Sequence, residues 1–185
     1  LAKGDAEAAL LSYRALEQKS SSAHSLNTAR MGIMQVSRDM TDYATALEMA
    51  DLLLGSSALG ASEQSEVAFT KALSLSATGK GDEAVEIWEK LAQDPETLNG
   101  TKSALYLAQY HFDKGQTDTA LKEINALIDA NPPHDYWLAR GFILLSDILR
   151  SKGNTFEADE YLRSLKENYP GTEPDIFRMI DERSD

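Results

Sequence analysis

The chain of 185 residues has no cysteine, which excludes disulfides and thiolate metal sites and suits a reducing cytosol as well as a periplasmic protein that avoids thiols. Histidine is scarce, with only His24, His111 and His134 to offer acid/base chemistry near neutral pH. His111 with Asp113, and His134 with Asp135, stand too close in sequence for two ligands to share a helix face, and no HExxH or paired-carboxylate motif is present. No catalytic residue, metal site or cofactor is therefore expected. Long apolar runs are missing too. The best candidates, 52–54 and 143–145, fall far short of the roughly 20 residues that span a bilayer, so membrane insertion is not expected. Basic residues number 18 against 30 acidic ones, a formal charge of −12 with no dense Lys/Arg cluster. Phosphate backbones and anionic lipid are repelled by such a field, and nucleic acid is not an expected partner. The first residues carry no basic region followed by an apolar core, as a signal peptide would.

What is present is a repeat. A hydrophobic content of 42% argues for a folded chain. Lys114 to Pro132 reads KGQTDTALKEINALIDANP and Lys152 to Pro170 reads KGNTFEADEYLRSLKENYP. Each opens on Lys-Gly, places alanine five residues after the glycine, adds leucine or isoleucine four and seven residues later, and closes on proline at the same offset. Three further copies align on Ala84 (after Gly79, with Trp88 and Leu91), Ala46 (after Thr41, with Ala50 and Leu53) and Ala9 (after Gly4, with Tyr13 and Leu16). The anchors Ala9, Ala46, Ala84, Ala120 and Ala158 lie 37, 38, 36 and 38 residues apart.

Each anchor sits in a helical pattern. In Asp118 to Ala130 the residues Ala120, Leu121, Ile124, Leu127 and Ile128 share one face of a 3.6-residue helix, opposite Lys122, Glu123 and Asp129. Phe156 to Asn168 repeats this with Ala158, Tyr161, Leu162 and Leu165. Further helices are predicted upstream of each, over Lys102 to Phe112 and over Trp137 to Leu149, the latter apolar almost all round and so expected to be the most buried. Gly115 and Gly153 suit the left-handed turn that ends a helix, each behind a lysine that favours the helix's negative end. Thr117 and Thr155 are expected to cap the following helix, and Pro95, Pro132-Pro133 and Pro170 to stop it. The same punctuation accounts for Gly79-Lys80-Gly81, which lacks the spacing of a phosphate loop and is followed by Asp82. Asn99-Gly100-Thr101 matches a glycosylation tripeptide and reads as a turn.

This pattern resembles the tetratricopeptide repeat, a helix–turn–helix unit of about 34 residues. Gly115, Asp118, Ala120 and Pro132, and likewise Gly153, Ala158 and Pro170, match the family's turn glycine, acidic residue, helix B alanine and terminal proline. Ala104 with Ala108, and Ala68 with Ala72, resemble its small helix A residues. The departures are the longer period, the missing tryptophan early in helix A, and Thr41 in place of glycine. The resemblance implies an all-α, right-handed superhelix of antiparallel helix pairs: a half repeat at 1–22, repeats at 24–57, 62–95, 98–132 and 134–170, and a capping helix at 172–184. In that cap Ile176, Phe177 and Ile180 lie on the last repeat while Asp175, Arg178, Asp181 and Glu182 face water. Leu1-Ala2-Lys3-Gly4 matches the end of a helix A, so the chain is expected to be the C-terminal piece of a longer repeat protein, similar to bacterial members of the family.

The resemblance also implies a function. Such arrays are mostly non-catalytic scaffolds that bind a protein or peptide on the concave face lined by helix A. The matching positions are Gln35, Arg38, Phe69, Leu73, Lys102, Tyr106, Gln109, Phe112, Arg140 and Asp147. The family's co-chaperone subclass clamps a carboxylate there with lysine, arginine and asparagine. Met31, Gln35, Lys102, Tyr106, Arg140 and Leu144 at its positions supply only two cations, so that clamp is not expected. The alternatives are an accessory repeat domain of a larger enzyme, or a self-assembling structural protein joined through its N-terminal half repeat.

Overall fold

The computed structural model describes residues 3–183, and the described residues are helical with no strand. In chain order the helices are α1 (Lys3–Lys19), α2 (Ala23–Asp39), α3 (Tyr43–Leu54), α4 (Ala61–Ala77), α5 (Gly81–Leu91), α6 (Leu98–Asp113), α7 (Thr117–Ala130), α8 (Asp135–Ser151), α9 (Thr155–Asn168) and α10 (Pro174–Asp181). The all-α helix-pair architecture expected from the repeat is the one observed. The chain divides into two compact units, one up to Ile87 and one from Trp88 onward.

One turn recurs four times. At the end of α6, Gly115 takes a left-handed conformation (φ 74°). Its N–H donates to the carbonyl of Phe112 at 2.9 Å, and the N–H of Gln116 to that of His111 at 2.9 Å. These are the two bonds of a Schellman cap, which satisfies carbonyls that a helix end would leave unpaired. Gly79 with Lys80 close α4 in the same way, Gly153 with Asn154 close α8, and Thr41 with Asp42 close α2. The second residue of each pair also opens the next helix. Its carbonyl accepts from the anchor alanine: Ala46 to Asp42 (3.1 Å), Ala84 to Lys80 (3.2 Å), Ala120 to Gln116 (3.0 Å) and Ala158 to Asn154 (3.1 Å). A single residue thus ends one helix and starts its partner, which fixes the alanine in the crossing. All four alanines are 0% exposed.

Four local expectations are corrected. Thr117 and Thr155 are not caps. They are the first residues of α7 and α9, because Gln116 and Asn154 already serve as N-caps, and neither supplies a side-chain capping bond. Asn99-Gly100-Thr101 is not a turn but the first turn of α6. Thr97 caps that helix by accepting from the Gly100 N–H at 3.1 Å, and the Thr101 hydroxyl donates to the Pro95 carbonyl at 2.7 Å. The chain passes so close there that a Cβ on Gly100 would meet the Asp94 carbonyl oxygen at 1.8 Å. The fifth anchor, Ala9, is only half-buried, and Ala6 is the buried alanine of α1. Among the described residues α1 packs on α2 alone, so Ala9 has no second helix to cross. Lys3 and Gly4 belong to α1 rather than to the end of an earlier helix, and Leu1 and Ala2 lie outside the described residues.

In the first unit α2 packs on α1, α3 and α4 around Ile33, Met34, Met49, Ala50, Leu53 and Val67. In the second unit α6 and α7 form one hairpin and α8 and α9 another. Their shared core joins Leu105 and Ala108 to Ile124, Leu127, Leu144, Leu145 and Ile148. Helix α8 is the most buried, as its apolar pattern predicts, with Ala139, Gly141, Ile143, Leu144, Leu145, Ser146, Ile148 and Leu149 all inside. Helix α10 covers the far side of α8 and α9, placing Ile176 and Ile180 at 0% exposure against Ala139, Ile143 and Leu162.

Candidate binding groove between α6 and α8

Within the second unit α6 and α8 lie side by side, and a cavity of about 90 Å³ opens between them. Residues from three helices and the turn after the last of them meet there: Tyr106 and Gln109 from α6, Arg140 and Asp147 from α8, Met179 from α10 and Arg183 just beyond. Four of these six are positions expected from the sequence. Helical spacing explains the convergence, since Tyr106 and Gln109 are three apart and Arg140 and Asp147 seven apart, each pair on one face.

The charges in the groove are organised by side chains that carry no motif. Arg183 grips Asp147 side-on, its Nε and Nη2 each donating to a carboxylate oxygen at 2.8 Å, while its Nη1 donates to the Met179 carbonyl at 2.9 Å. The Asp147 bond, opposed by burial, raises the Arg183 pKa above its ordinary value. Such a bidentate pair is geometrically specific. Arg150 completes the clasp by donating from Nη2 to the Arg183 carbonyl and to Asp159, each at 2.5 Å. Arg140 has a different setting. Its guanidinium lies 5.3 Å from the centre of the Trp137 ring and 6.0 Å from that of Tyr136, and among the described residues it has no carboxylate partner. The Lys102 ammonium lies 5.3 Å from the same Trp137 ring. An aromatic ring face attracts a cation through its quadrupole, which helps hold both side chains in place. The Tyr136 hydroxyl donates to Asp175 at 2.7 Å. Burial first, and then that bond, push the Tyr136 pKa up, with Arg140 pulling it back.

The other expected positions lie elsewhere. Phe69 is 4% exposed, a core residue of α4 and not an accessible one, because its helix turns that face inward. Leu73 is half-buried. Phe112 packs against the α6–α7 core and does not line the cavity. Gln35 is exposed on α2, and Arg38 bridges to α4 through Glu66 at 2.7 Å; both belong to the first unit. Gln109 donates to Asp113 at 2.7 Å, and Tyr106 stacks on the buried Trp88 with ring centres 5.8 Å apart. Sequence reasoning missed Tyr136, Trp137, Met179 and Arg183. Aromatic content early in α8 was a usable signal for the first two, whereas no sequence signal ties Arg183 to Asp147, 36 residues away. Asp175, expected to face water, is instead the Tyr136 acceptor. The three histidines do not converge: His111 pairs across the hairpin with Glu123 at 2.8 Å, and His134 is the N-cap of α8, its Nε2 at 3.1 Å from the Glu96 carbonyl.

Residues 136–172, which hold α8, the turn at Gly153 and α9, match the family model of the tetratricopeptide repeat. That match and the all-helical hairpins support a tetratricopeptide-repeat fold. No curated protein matches its sequence. Tetratricopeptide repeats are in general protein–protein interaction modules and typically non-catalytic. The matched segment contributes Arg140 and Asp147 to the groove.

Proposed function

We propose that this chain is a non-catalytic tetratricopeptide-repeat scaffold that binds a protein or peptide partner along the face of α6 and α8. The repeat boundaries at 24–57, 62–95, 98–132 and 134–170 belong to the same reading, as does the absence of nucleic acid among its partners. The observation that carries it is the convergence of Tyr106, Gln109, Arg140 and Asp147 on one cavity beside Trp137. Tyrosine, tryptophan and arginine are the residue types that dominate binding energy at protein interfaces. Arg140 adds a positive charge without a carboxylate partner, on a chain of net charge −12, so the groove favours a segment that brings an acidic or aromatic side chain. Affinity capture with the chain would supply the partner, and calorimetry would then measure it. Lys102→Glu combined with Arg140→Glu is expected to weaken binding at least tenfold while helical circular dichroism stays unchanged. Unchanged affinity would remove this face as the binding site.

A further inference from the structure

A second and larger cavity, about 320 Å³, opens between the first half of α8 and the second half of α9 and shares no lining residue with the groove above. That volume is within the range of small-ligand pockets. Its walls are apolar and aromatic, built by Leu138 and Phe142 from α8, Tyr161 and Leu165 from α9, and Tyr169 just beyond. The Phe142 and Tyr161 ring centres lie 6.0 Å apart.

The charge at this cavity has one sign. Asp135, the first residue of α8, lines it, is exposed, and among the described residues has no lysine or arginine partner. The Tyr169 hydroxyl donates to Glu173 at 2.7 Å. Its pKa is raised by burial first, then by that bond and by the fields of Glu173, Asp135 and Asp175. Of the three carboxylates that act on Tyr169, Asp135 lines the cavity itself. The cations of α9 nearest in sequence are already engaged, Arg163 with Glu160 at 2.5 Å and Lys166 with Asp181 at 2.6 Å.

We propose that this cavity binds a small organic cation whose apolar body fills the space between Phe142, Tyr161 and Leu165 and whose ammonium group rests against Asp135. An anion is repelled by the Asp135 carboxylate. A neutral apolar ligand removes water from Asp135 and offers no charge in return, whereas an ammonium compensates that desolvation. Adjacent aromatic rings add attraction for a cation.

The test uses 2-phenylethylammonium and 2-phenylethanol, which differ in little more than the charged end. Each is titrated into the intact chain while the methyl resonances of Leu138 and Leu165 are followed by NMR. The ammonium is expected to shift both methyls and to bind at least fivefold tighter than the alcohol. Asp135→Asn is expected to reduce that preference below twofold while helical circular dichroism and the alcohol's affinity are unchanged. Equal binding of the two compounds, binding of neither, or a preference that survives Asp135→Asn would each overturn the proposal. So would shifts at Trp137 in place of Leu138 and Leu165.

Discussion

Thr41 holds a left-handed backbone, φ 60°, at the turn position that Gly79, Gly115 and Gly153 fill in the other hairpins. A side chain with Cβ in that conformation is strained by roughly 1–2 kcal/mol, and glycine removes the strain at some cost in unfolded-chain entropy. Thr41→Gly is therefore expected to raise stability by about 0.5–1 kcal/mol in urea unfolding, and a decrease would mean that the hydroxyl carries an interaction worth more than the strain. Tyr169 gives a second prediction at this scale. Its folded-state pKa is raised, so the folded chain keeps a proton that the unfolded chain loses above about pH 10. The associated stability is present below pH 10 and lost as pH rises through the higher folded value. In an absorbance titration at alkaline pH, Glu173→Gln should bring one tyrosine ionisation downward. The departure at Thr41 was legible in the sequence as a missing glycine. The environment of Tyr169 was not, because Glu173 stands four residues on in the non-helical connection to α10, whose path leaves no periodicity in the sequence.

At the scale of the element, the crossing alanines and the terminal helix bear the structure. Ala120 is 0% exposed where α6 and α7 cross, and enlarging it forces the helices apart. Ala120→Leu should cost about 1–3 kcal/mol, as overpacking does, whereas Ala9→Leu on half-buried α1 should stay within about 0.5 kcal/mol. Equal effects at the two sites would show that α1 crosses a neighbour as tightly as α7 does. Helix α10 is short, only 8 residues, and is held by what it buries. Ile180→Ala is expected to cost about 2–5 kcal/mol in urea unfolding, since Ile180 is 0% exposed among Ala139, Ile143 and Leu162. A loss under 1 kcal/mol would mean that the Arg183–Asp147 clasp alone keeps α10 in place. The presence of this helix and its apolar face could be read from Ile176, Phe177 and Ile180. The clasp could not, because an ion pair between distant segments leaves no periodicity.

For the whole molecule, the predicted loss of partner affinity in the Lys102→Glu, Arg140→Glu double variant turns on a contrast: a chain of net charge −12 that keeps Lys102 and Arg140 on the rings of one groove. The sequence by itself determined the helix pairs, the four turns and the crossing alanines. These follow from contacts between residues close in the chain, where periodicity, glycine and proline act directly through backbone geometry. Only the tertiary structure decided which side chains share a surface. It buried Phe69, turned Phe112 toward the core, brought Met179 and Arg183 to Tyr106 and Asp147, and grouped Asp135 with Phe142 and Tyr161 around a separate cavity. The physical reason is that a repeat pattern fixes the face on which a residue stands. What that face meets depends on how neighbouring helices stack, and that is set by side-chain packing between segments far apart in sequence.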